Sequence, residues 1–202
     1  MPLIAVTGGI AAGKSTVCNR LRELGAHVES ADELVRFVQR KGSPVLDAIR
    51  ERFGIGAIDE SGELDRPALG RLIFEDADAR RDLEAIVHPA IQAELASRIK
   101  AITEHDADAV IVYDIPLLVE SKRVDEFDSI IVLACDPDIR RQRLIDLRGM
   151  SSEEADARIA AQATEVERMQ VADWIIDTGE SIEETLEQVD DVWADIVDSL
   201  HA

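Results

Sequence analysis

The strongest constraint on this chain lies near its start, where a short, mostly apolar run from Leu3 to Thr7 breaks into glycines and then into Lys14-Ser15-Thr16. A run of that length closed by Gly8-Gly9 suits a strand buried on both faces of a parallel sheet. From Ser15 onward Val17, Leu21 and Leu24 recur at helical spacing, and Gly25 ends the pattern as a C-terminal cap. Residues 8 to 15 read G-G-I-A-A-G-K-S and satisfy G-x-x-x-x-G-K-[ST] between that strand and that helix, which is the setting the pattern needs. Glycines there let consecutive N–H groups turn inward onto phosphate oxygens, and the helix N-terminus adds partial positive charge. Gly8, Gly9, Ala11, Ala12 and Gly13 are therefore expected to line the phosphates of ATP. Lys14 would bridge the outer phosphates, Ser15 would ligate Mg2+, and Thr16 would bond an inner phosphate. No G-x-G-x-x-G accompanies them, so a nicotinamide-binding turn does not fit.

Further strands are expected at His27 to Glu29, Ala109 to Tyr113, Ser129 to Leu133 and Trp174 to Ile176. The stretch between the second and third is too long for one crossover helix and has helical periodicity, as in Leu95, Ile99 and Ile102. It reads as a helical insertion with breaks near Gly42-Ser43-Pro44, between Gly54 and Gly62, and at His88-Pro89. A second polar helical stretch, Asp138 to Arg168, separates the fourth and fifth strands, and a last helix carries Ile182, Leu186, Val189, Trp193, Ile196 and Leu200 on one stripe. Strands alternating with helices imply an α/β fold with a parallel sheet and ligands at the carboxyl ends of its strands.

The 202 residues, 46% of them hydrophobic, supply material for a proper core. With 42 acidic against 22 basic side chains the net charge is -20, which disfavours nucleic acid and anionic membranes as partners. Solvated acidic helix faces account for that charge, a salt-rich native environment being the alternative. Cys18 and Cys135 form no C-x-x-C pair, and neither a membrane-length apolar run nor a signal peptide is seen, so a cytoplasmic protein is expected; it is taken as a monomer, with an oligomer left open.

Three candidate groups outside the loop follow from position. Asp32, just past the second strand, either caps the helix that begins at Glu33 or accepts a proton from an attacking hydroxyl or holds magnesium through water. Asp114 ends the strand A-V-I-V-Y-D and could support Mg2+, through water or directly. The residues after it are not the acidic partner of a motor-type ATPase, which favours transfer to a small molecule. Arg140, Arg141, Arg143, Arg148 and Arg158 crowd the second insertion, where one or two could meet transferring phosphoryl oxygens while the rest pair with neighbouring acids. His88 reads from the residues alone as a buried, satisfied histidine at a helix break or, less favoured, as a donor to an anionic substrate, and Cys18 as core. Neither N-K-x-D nor the H-R-D and D-F-G pair of protein kinases is present. These residues point to a small-molecule phosphotransferase and leave the acceptor open: a nucleoside monophosphate, another small metabolite, or none in a non-catalytic nucleotide switch.

T-G-G-I-A-A-G-K-S-T at 7–16, A-D-E-L-V-R at 31–36, G-S-P at 42–44 and E-L-D-R-P-A-L at 63–69 are followed by V-H-P-A-I at 87–91, D-I-P-L-L-V-E at 114–120 and R-I-A-A-Q at 158–162. In this order the motifs resemble those of the dephospho-coenzyme A kinase family, over nearly the whole chain. The resemblance implies a P-loop NTPase three-layer fold: a five-stranded parallel sheet with a helical acceptor-binding insertion and a helical lid. The corresponding boundaries are 1–31, 107–137 and 166–202 for the nucleotide-binding core, 32–106 for the acceptor-binding helices and 138–165 for the lid. It implies ATP-dependent phosphorylation of the ribose 3'-hydroxyl of dephospho-coenzyme A, the last step of coenzyme A synthesis. Asp32 matches the family's general base, Arg36, His88, Leu117 and Glu120 match positions lining the acceptor, and Arg143 and Arg158 match lid arginines, with Lys14 and Arg143 acting on the transferring group and Arg158 on ATP. Three departures stand out: Ala11-Ala12 where the family has Gly-Ser, Ser30 where it has Asp, and Leu147-Arg148 where it has Arg-Asp.

Overall fold

A computed structural model describes residues 2–200. Five strands, β1 (Leu3–Gly8), β2 (His27–Ser30), β3 (Ile111–Asp114), β4 (Ser129–Ala134) and β5 (Trp174–Asp177), form one parallel sheet in the order β2-β3-β1-β4-β5. The most apolar segments take the middle of that order, because a central parallel strand is covered on both faces. Ile4, Val6, Ile131 and Leu133 turn to one face, where Val17, Cys18 and Leu21 of α1 (Lys14–Glu23) and Val189, Val192 and Ile196 of α9 (Ile182–Leu200) complete a core cluster. The alternation of period two in the strands and four in the helices, legible in sequence, is what lets these faces meet. Arg20 clamps α1 to α9 through a two-pronged contact with Asp190, Nε to Oδ1 at 2.6 Å and Nη2 to Oδ2 at 2.7 Å.

Between β4 and β5 the chain forms α6 (Pro137–Arg148), α7 (Ser152–Ala160) and α8 (Glu165–Met169). Gly149, left-handed at φ 64°, ends α6, and Ser151 and Thr164 each open the next helix with a reciprocal capping box. The polar stretch from Asp138 to Arg168 is thus three helices with local stop and start signals.

The chain divides into two compact units, one built from residues up to Ser30 and from Asp106 onward, the other Ala31–His105. Within the second unit, α2 (Ala31–Val38), α3 (Pro44–Phe53) and α4 (Arg66–Glu75) all pack on α5 (Ala77–His105). Ser43 and Asp65 cap α3 and α4 by accepting from Leu46 N and Ala68 N, each ahead of a proline in the first turn. The break expected at His88-Pro89 is absent: α5 runs through Pro89, and His88 is exposed rather than buried. Proline removes one helix hydrogen bond and crowds the carbonyl four residues back. Burial of Val87, Ile91 and Leu95 along one stripe holds the turns on either side of it.

Candidate active site

Each glycine of the loop after β1 answers a particular demand. A Cβ on Gly8 would lie 2.9 Å from Leu133 Cβ, so the close approach of β1 to β4 requires glycine there. On Gly9 it would lie 2.2 Å from Arg140 Nη1, so the guanidinium occupies the space a side chain would take. Gly13, at φ 82°, is the left-handed N-cap of α1. Ala12 N donates to Gly9 O at 3.0 Å, which closes the turn. Thr16 N donates to Gly13 O at 3.0 Å, so the amides of Lys14 and Ser15, with the helix dipole, make the anion site at the start of α1. Lys14 is half-buried and Ser15 exposed at that terminus. Ala11 adopts φ 63°, the left-handed region that favours glycine. The alanine departure therefore carries backbone strain. Ala12 is 1% exposed, so its methyl group fills core space that a serine hydroxyl would have to share.

Three side chains distant in sequence fasten this loop, and a fourth, Arg140, lies against it. Gln162 Oε1 accepts from Ile10 N at 2.7 Å, and Thr178, one residue past β5, donates from Oγ1 to Ala12 O at 2.8 Å with Ala134 O also in reach at 3.1 Å. Arg143 Nη2 donates to Thr178 O at 2.6 Å, and its Nη1 lies 3.4 Å from Ala11 O and from Cys135 Sγ. Arg140 is buried and donates from Nε to Cys135 O at 3.0 Å, while its Nη1 beside Gly9 has no partner among the described residues. Burial, and after it the neighbouring Arg168, press the Arg140 pKa downward. A guanidinium stays charged regardless, so a buried donor with an unused N–H at a phosphate loop favours an anion beside it.

The acids and acceptor-side residues are distributed as follows. Asp114 ends β3 in register with Val6 of β1 and with Ser30 of β2, so Ser30 occupies the strand end next to this carboxylate. Cys18 in α1 has its pKa raised to about 12, first by burial and then by Asp114. Ser15 and Asp114 are hard oxygen donors at the carboxyl edge of one sheet, which suits Mg2+. Leu117 is exposed, whereas Glu120 is engaged: Oε1 accepts from Ala163 N at 2.8 Å and from Arg168 Nη2 at 3.3 Å. Residues 162 and 163 thereby tie the segment between α7 and α8 to Ile10 and to Glu120 at once. Arg158, near the end of α7, is exposed, as is Arg148 in the last turn of α6. Asp32 and Arg36 lie one turn apart on α2 and His88 on α5, all three exposed and all in the helical unit.

Sequence reasoning kept Arg140 as one of five candidate arginines, singled out Arg143 and Arg158 among them only by resemblance, and passed over Gln162, Thr178 and Arg168. Thr178 had a usable signal, since it follows the carboxyl end of a parallel strand. Gln162 closes the R-I-A-A-Q stretch. Nothing local distinguished Arg140 from its neighbours.

The model of a protein family described as dephospho-CoA kinase matches residues 2–184. A curated relative from Leifsonia xyli named dephospho-CoA kinase is 48% identical over 194 residues, covering 96% of this chain and 98% of its own. A crystal structure of a Thermus thermophilus protein superposes with a TM-score of 0.83 at 31% identity, covering 96% of this chain and 97% of that one. The dephospho-CoA kinase from Campylobacter jejuni superposes with a TM-score of 0.73 at 25% identity and covers 98% of both chains.

Proposed function

The chain belongs to the dephospho-CoA kinase family, and from that membership we propose how its residues divide the work of the family's reaction. It transfers the γ-phosphoryl group of ATP to the ribose 3'-hydroxyl of dephospho-CoA, giving CoA. The observation that carries the reading is the loop from Gly8 to Thr16, with its α1 N-terminus and the Arg140 and Arg143 guanidinium groups held against it.

In-line phosphoryl transfer needs little covalent help from a protein and much positioning and charge neutralisation. The amides of Gly13, Lys14 and Ser15 hold the β- and γ-phosphates, the Lys14 side chain lies along the outer ones, and the Thr16 hydroxyl bonds an inner one. Arg143 acts mainly by fixing the loop, since its N–H groups already point at Ala11 and Thr178. Arg140 then becomes the better candidate for the transferring oxygens, and Arg158 contributes to ATP from the lid, 138–165. Ser15 and Asp114 would hold Mg2+, which supplies charge neutralisation at the phosphates when bound. Asp32 takes the proton of the 3'-hydroxyl or orients it, with Arg36, His88 and Leu117 around the acceptor. Glu120 supports the reaction at one remove, by anchoring Ala163 and Arg168. Among the described residues no helix is long and apolar enough to cross a membrane, and with soluble substrates the reading places the reaction in the cytoplasm.

Replacing Asp32 by Asn tests the assignment. Turnover with dephospho-CoA should fall by roughly a hundredfold or more while ATP affinity stays close to that of the parent chain. Near-normal turnover would remove Asp32 from the mechanism, and failure of the parent chain to phosphorylate dephospho-CoA would remove the reaction itself.

A further inference from the structure

The helical unit contains a pocket of about 270 Å³ lined by Arg36, Gln39, Arg40, Lys41, Glu63, Leu64 and Arg66. Four cations against one carboxylate is the reverse of the chain's balance, which is 22 basic to 42 acidic. Elsewhere in this unit several cations find acids, as in Arg52 with Asp82 and Arg98 with Glu94. The four pocket cations form no ion pair within 4.0 Å among the described residues.

Three of them are held by neutral groups instead. Arg66 Nη1 donates to Oε1 of buried Gln39 at 2.6 Å, and Lys41 Nζ donates to Ser61 O at 2.5 Å. Arg40 Nη1 donates to Phe37 O at 2.7 Å, and its guanidinium carbon sits 3.8 Å above the Phe37 ring. Such contacts orient a cation and leave its charge unspent. Arg36 in the last turn of α2 and Arg40 two residues past its end bring a second positive charge to the same pocket, where an anion would relieve their repulsion.

We infer that this pocket is the subsite for the diphosphate of the acceptor, with Arg36, Arg40, Lys41 and Arg66 as its ligands; the inference rests on the dephospho-CoA reading. Asp32 stands one turn before Arg36 on α2, about 6 Å along the axis at 1.5 Å per residue. In dephospho-CoA the ribose that bears the 3'-hydroxyl is joined at its 5' carbon to a diphosphate. α2 therefore presents the group for the hydroxyl and, one turn later, Arg36 for the diphosphate, with Arg40 and Lys41 just past its end, in the order the acceptor needs. Guanidinium forks and an ammonium group match phosphate oxygens in geometry and charge.

The test is the double variant R40S/K41S beside R80S/R81S, which removes the same charge from the exposed start of α5. The pocket variant should raise KM for dephospho-CoA about tenfold or more, the usual scale for losing charged hydrogen bonds, with KM for ATP unchanged. The control variant should leave both unchanged. An unchanged KM for dephospho-CoA, or an equal rise for ATP, overturns the subsite. A second measurement does not depend on the acceptor's identity: calorimetric titration with inorganic diphosphate while Mg-ADP fills the phosphate loop. The parent chain should bind it and R40S/K41S should lose that binding, folding being checked by circular dichroism. Loss of diphosphate binding in a chain that does not phosphorylate dephospho-CoA would uphold the subsite and sink the functional reading. Equal diphosphate binding by both chains sinks the subsite alone.

Discussion

At the scale of single residues the phosphate loop separates two kinds of small side chain. Gly9 is needed for space, because Arg140 Nη1 would be 2.2 Å from any Cβ there. Ala11 is tolerated against its backbone preference, at φ 63°. Gly9→Ala should therefore push Arg140 aside and lower kcat/KM for ATP on the order of a hundredfold, as loss of a charge-stabilising donor does. Ala11→Gly should raise stability by about 1 kcal/mol through relief of the left-handed conformation, with ATP affinity little changed. Steady-state kinetics and thermal melts measure both, and a destabilised A11G would show that the methyl group contributes packing that outweighs the strain. Sequence alone marked Ala11 and Ala12 as departures and could not rank them, since the ranking depends on φ at one and on burial at the other.

At the scale of elements, the segment between α7 and α8 behaves as a strap, with Gln162 on Ile10 N and Ala163 N on Glu120. Gln162→Ala frees a loop amide and one end of the strap. A single neutral hydrogen bond contributes about 1 kcal/mol net, so the variant should lose about fivefold in kcat/KM for ATP with its melting temperature nearly unaltered. Loss of activity accompanied by global unfolding would instead make Gln162 a general stability residue. The strap also shows where element-level reading fell short. Strands, the α1 boundary and the caps at Ser43, Asp65, Ser151 and Thr164 follow from local chemistry and were legible or could be read in retrospect. Pro89 misled because its local cost is real, yet the long apolar stripe of α5 outweighs it.

For the whole molecule the dominant quantity is the charge of -20. Self-repulsion of that size weakens the compact state and is screened over about 10 Å at 0.1 M salt. The melting temperature should therefore rise as neutral salt increases from millimolar toward physiological concentration. A flat or falling curve would mean that ion pairs such as Arg20 with Asp190 outweigh the repulsion. Against that balance, the clustering of Arg36, Arg40, Lys41 and Arg66 around one pocket with a single carboxylate is the feature that the proposed diphosphate subsite accounts for.

What the sequence determined by itself was contiguous: the strand, the glycine turn and the helix of residues 3–24, the alternation that makes a parallel sheet, and the motif order that marks the family. These depend on neighbours along the chain, so their chemistry is written locally. The tertiary structure decided which distant groups serve the loop. Gln162 and Ile10 are 152 residues apart, and Thr178 and Ala12 are 166 apart. No periodicity or spacing links such pairs. They meet because the order β2-β3-β1-β4-β5 sets the carboxyl ends of β4 and β5 on the same side as the end of β1. The segments leaving those ends then return their side chains to the phosphate loop.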